Sequence, residues 1–119
     1  MATPSEFLST MLHSVTAGHI LHLQTRSYPN HMALGGFYEG MDDLVDGLIE
    51  AFQGKYGIVT DYADGIMPNG KDPVAFLTDL SDYVTFARTE FAQDSELQNQ
   101  IDEIMFLIDQ TIYKLKYLG

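Results

Sequence analysis

Two histidines and two carboxylates of this chain are of the types that could hold a metal ion. His19 and His31 are 12 residues apart, Asp46 follows His31 by 15, and Glu50 follows Asp46 by 4. At about 100° per residue on a helical wheel, His31, Glu39, Asp42, Asp46 and Glu50 fall within about 100° of one another. Phe37, Met41, Leu44, Val45, Leu48 and Phe52 gather on a different face of the same stretch. No Lys or Arg lies between Arg26 and Lys55, so nothing basic neutralises the acids along the helix. Imidazole nitrogens with carboxylate oxygens suit Fe(II), Mn(II) or Zn(II), and iron is the natural candidate for oxygen-dependent chemistry.

This pattern over roughly residues 8–57, together with the Met41-Asp42-Asp43-Leu44 run, resembles the iron-site signature of the Dps-like mini-ferritins. The resemblance implies an all-α, ferritin-like four-helix bundle with a long crossover between helices 2 and 3. It also implies an iron site at a two-fold helix interface between subunits. One copy would supply His19 and His31, the other Asp46 and Glu50, with Asp42 nearby, and Fe(II) would be oxidised by peroxide or oxygen. The chain departs from the family in having Ile20 where a Trp usually follows the first histidine. It also lacks basic residues in Met1–Thr3 and is short, so cage formation, mineral storage and DNA protection are not carried over. Di-iron bundles with Glu-x-x-His motifs are a poor match, because the chain contains none.

Composition sets the frame. The 119 residues suit a single domain, 1–119, with one hydrophobic core. A net charge of −11 disfavours DNA or an anionic membrane as partner and favours cations. The absence of cysteine excludes disulfides and thiolate metal sites and fits a reducing cytoplasm. Phe7–Thr25 carries no charged residue, yet its Ser, Thr, His and Gln content is too polar for a spanning helix. With no basic region before it, a signal peptide is not expected either, and the chain reads as cytoplasmic.

Four helices are expected to position the site, over about 4–26, 30–54, 73–92 and 96–118, with no sheet. Thr3-Pro4-Ser5-Glu6 opens the first as a capping box, and Phe7, Leu8, Met11, Leu12, Val15 and Leu23 give its apolar stripe. His19 and His22 lie inside that stripe, where a histidine is commonly a hydrogen-bonded core residue. One turn apart, they could also chelate as a pair. Pro29 breaks the chain before helix 2, with Ser27 or Asn30 as its cap. Gly36, Gly40 and Gly47 cluster on one side of helix 2. They either admit another backbone, including that of a symmetry mate, or are tolerated within a helix held by packing. Residues 57–72 read as a crossover that packs down through Ile58, Val59, Tyr62, Ile66 and Met67. Asp72 caps helix 3, and Ser95-Glu96-Leu97-Gln98 opens helix 4 as a second capping box.

A different function class fits the same residues. If the acidic face is merely solvated and the histidines structural, the chain is an oligomeric helical module that sequesters a small ligand or docks on a protein. Nucleophilic catalysis has no support, with no Cys and no Gly-x-Ser-x-Gly elbow.

Overall fold

A computed structural model describes residues 2–65 and 68–118. The chain forms α1 (Pro4–Gln24), α2 (Tyr28–Tyr56), α3 (Pro73–Ala87) and α4 (Ser95–Tyr117), with no strand among the described residues. Capping chemistry explains three of the four starts. Thr3, Ser27 and Asp72 each accept a bond from a backbone N–H three residues on, and Pro sits in the first turn of each helix, where its missing N–H costs nothing. Ser27, not Asn30, therefore caps α2, and the helix starts earlier than expected. It ends at Gly57, whose φ of 98° is left-handed and suits a residue without a Cβ.

The helix ends also hold the differences from expectation. Asp94 is the N-cap of α4 in place of Ser95, and its side chain makes no capping bond. Its oxygens are taken by the Tyr56 hydroxyl at 2.6 Å and the Lys55 ammonium at 3.0 Å. α3 stops at Ala87, short of residue 92, because glutamine amides capture the carbonyls that follow. Gln98 donates to Arg88 O and Ala92 O, and Gln93 donates to Arg88 O and Phe91 O. The turn drops Phe91 into the core between Phe7 (centroids 4.8 Å) and Phe52 (5.1 Å).

The crossover runs beside α1 in the same direction, from its first turn to its last. Ser5 donates to Asp61, Ala63 N–H donates to Ser9 Oγ at 2.8 Å, and the His13 ring bonds Ala63 O at 2.6 Å. Gln24 donates to Asn69 and accepts from Gly70 N–H. No helix forms in the described part of this connection. Val59 is partly buried against the core, but Ile58 is 76% exposed and Tyr62 41% exposed, so neither packs down; Ile66 and Met67 lie outside the described residues. α3 thus begins where α2 begins, and α4 returns antiparallel to α2. α2 packs on both α1 and α4, and α3 leans mainly on α4, with only a slender contact to α1.

The core follows the expected stripes on α2 and α4, with Phe37, Met41, Val45 and Leu48 facing Leu97, Ile101, Ile104 and Ile108. On α1 the stripe is different. Leu23 is 67% exposed, since it lies about 120° round the helix from Met11. The buried line instead runs Phe7, Met11, Ser14, Gly18, Leu21, with small residues in its middle. A Cβ on Gly18 would stand 2.7 Å from the Phe37 ring, so that glycine is the hole into which α2 presses its phenylalanine. No helix among the described residues is long and apolar enough to cross a membrane.

Candidate metal-binding face

The hairpin of α1 and α2 carries every residue singled out for metal chemistry. The short link from Thr25 to Ser27 brings the last turns of α1 against the first turns of α2. There His22 Nδ1 lies 2.6 Å from His31 O, and His31 Nδ1 lies 2.9 Å from His22 O. A carbonyl can only accept, so both rings carry their proton on Nδ1 and leave Nε2 as the base when neutral. The two rings stack with centroids 3.7 Å apart. Gly35 makes this possible, since a Cβ there would sit 3.1 Å from the His22 ring. Tyr28 flanks His31, and Tyr38 meets His22 edge-on and stacks on His19 at 4.1 Å. His19 is exposed, while His22, His31 and Tyr38 are half-buried.

His31 is therefore brought against His22, with His19 one ring further along the cluster. The sequence signal for the clasp was present, but thin: two histidines nine apart on either side of a helix break. Tyr38 and Gly35, which shape the cluster, carry no chemical signature of their own in the sequence.

Asp42, Asp46 and Glu50 are exposed on the outer side of α2, with Glu39 and Asp43 beside them. Among the described residues none of these five takes part in a salt bridge. At a rise of 1.5 Å per residue, His31 and Asp46 stand about 22 Å apart along one helix, too far to share an ion. Among the described residues of one chain, no group of three or more His, Cys, Asp or Glu side chains gathers to hold a metal.

The helical glycines split in role. Gly40 admits Leu107 of α4 and Gly47 admits Gln100, whose amide donates to Leu44 O at 3.0 Å. Side chains, and no second backbone, fill those two positions. Gly36 faces open space on the exposed side of α2.

The other charged cluster lies at the far end of α2. Lys55 bridges Glu96 (2.8 Å) and Asp94 (3.0 Å). Hydrogen bonds to Glu96 and then Asp94 raise the Lys55 ammonium, while the Tyr56 hydroxyl and then Lys55 hold the Asp94 carboxyl below its ordinary range. This group ties α2 to α4 and contains no free donor set.

A family match spans residues 22–115 of the 119. The chain belongs to DUF5856, a family of unknown function. No curated protein and no solved structure matches it. The matched span opens on His22 and takes in His31, Asp42, Asp46 and Glu50, while His19 lies three residues before it.

Proposed function

We propose that the chain is a ferritin-like, Dps-like protein that binds and oxidises Fe(II) at a site shared by two copies. The observation that carries this reading is the 12, 15, 4 spacing of four polar donors along the α1–α2 hairpin, with a gap of about 22 Å that no single helix can close. A second copy closes it. When two α2 helices lie antiparallel about a two-fold, His31 of each faces the Asp46–Glu50 turn of the other. The exposure of Asp46, Glu50 and His19 leaves them available to such a partner, and Gly36 removes bulk from the same side of α2.

The donor set fits Fe(II) as substrate. Two imidazoles and two carboxylates bind a borderline cation, and an exposed acidic face draws cations in. The bond from His31 Nδ1–H to His22 O fixes the tautomer whose Nε2 can ligate, as a carbonyl behind the ring does for metal-bound histidines elsewhere. The length-spanning crossover between α2 and α3 supports the ferritin-like assignment of the bundle.

Subunit mixing tests the reading. One variant carries His19→Ala with His31→Ala, and the other Asp46→Asn with Glu50→Gln. Each alone loses Fe(II) oxidation, because half of every site is missing. After exchange, half the pairs are mixed and one of their two sites is whole, so activity returns to about a quarter of wild type. If exchange is verified and no activity returns, the shared site is wrong. The acidic face is then a solvated one on an oligomeric helical binding module.

A further inference from the structure

The His22 ring is no ligand of the shared site, yet its Nδ1 is engaged by His31 O while no hydrogen bond among the described residues uses its Nε2. We infer that His19 and His22 form an alternative metal site within one chain, taking a borderline divalent ion such as Zn2+ with water completing its shell. The two residues are one turn apart near the C-terminal end of α1, with ring centroids 6.0 Å apart and planes inclined at 53°. With Zn–N near 2.0–2.1 Å, two imidazoles on a tetrahedral ion have centroids about 5.2 Å apart, so the rings must close by roughly 1 Å from the observed separation to share it.

Two features of the surroundings favour the ion. The His22 proton is held on Nδ1 by His31 O, which leaves Nε2 free and restricts ring rotation. The stack on His31 and the close seat over Gly35 hold the ring further. The His19 ring stacks on Tyr38 at 4.1 Å with its other side exposed, so it reaches the ion by turning along the Tyr38 face. Imidazole donors without a thiolate suit Zn2+, Cu2+ or Ni2+ over the harder Mg2+ and Ca2+.

The pair needs no second copy, but it shares His19 with the site proposed above. The test therefore uses changes that touch only one of the two. Zn2+ is titrated calorimetrically into the Asp46→Asn, Glu50→Gln chain, where one zinc per chain is expected. Adding His22→Phe, which keeps a ring over Gly35, should weaken that binding by more than about tenfold. Unchanged affinity in the His22→Phe chain overturns the inference, and so does loss of zinc binding on the carboxylate changes alone. Should His22→Phe fail to fold, imidazole 15N spectra of the wild type decide. Zn2+ must then shift Nε2 of both His19 and His22, and a His22 resonance that does not move overturns the site.

Discussion

His22 and His31 each donate a ring N–H to the other's backbone carbonyl, at 2.6 and 2.9 Å, and so clasp α1 to α2 across their turn. The clasp is reciprocal, and substitution can remove only the ring side of each bond. The carbonyls remain whatever side chains are present, and only the donors are lost.

His22→Phe should therefore cost modestly. It keeps the ring stacked on His31 and seated over Gly35 but removes one donor to a carbonyl that α2 already engages. A net loss of about 0.5–1.5 kcal/mol is expected from urea unfolding. A loss several times larger would mean that the ring sets the register of the whole hairpin.

Gly18→Ala should be among the most damaging small substitutions in the chain. The new methyl would meet Phe37 at 2.7 Å inside a buried seam, where overpacking costs roughly 1–3 kcal/mol. Phe37→Leu in the same chain should recover part of the loss. Strict additivity of the two in a double-mutant cycle would contradict the contact.

Asp46→Asn should leave the metal-free protein as stable as before or slightly more so. Asp42, Asp46 and Glu50 repeat at four-residue intervals on an exposed face, and such like-charge pairs cost about 0.2–0.5 kcal/mol each. The variant should gain less melting temperature from added Fe(II) or Zn2+ than wild type does. A drop of several degrees without metal would make Asp46 a structural partner.

Asp94 should govern acid sensitivity at the opposite end of α2. Its folded carboxyl titrates below the ordinary 3.8, held there first by Tyr56 and then by Lys55. A depressed carboxylate stabilises fully above its unfolded value and loses that contribution as pH falls through the folded one. The melting-temperature gap between wild type and Asp94→Asn should therefore be full at neutral pH. It should begin to close near 3.8 and be gone below the folded value. Because the bridging Lys55 is 42% exposed, added salt should narrow the gap at neutral pH as well.

What the sequence made legible was local. Four helices follow from apolar spacing, and Thr3 and Asp72 cap where their side chains and the following prolines place them. Tertiary choices were harder to read. Leu23 looks like core by type, but the seam of α1 is lined by Ser14 and Gly18 because Phe37 supplies the volume from the other helix. The early end of α3 depends on amides of Gln93 and Gln98, whose targets are fixed only once the turn exists. The donors of the proposed iron site were legible as types and spacings. The His22–His31 clasp was legible only thinly, since it depends on a missing Cβ at Gly35 as much as on the histidines.

The crossover has a consequence for how the molecule opens. It lies along α1 and is fastened there by side-chain bonds at Ser5, Ser9, His13 and Gln24, while α3 touches α1 only slightly and depends on α4. α1, α2 and α4 form a continuous packed body that does not need α3 to be contiguous. In native-state hydrogen exchange, α3 amides should therefore lose protection together, at lower free energy than those of α2 and α4. The helix would swing out as a unit on two tethers, the crossover before Pro73 and the turn at Arg88.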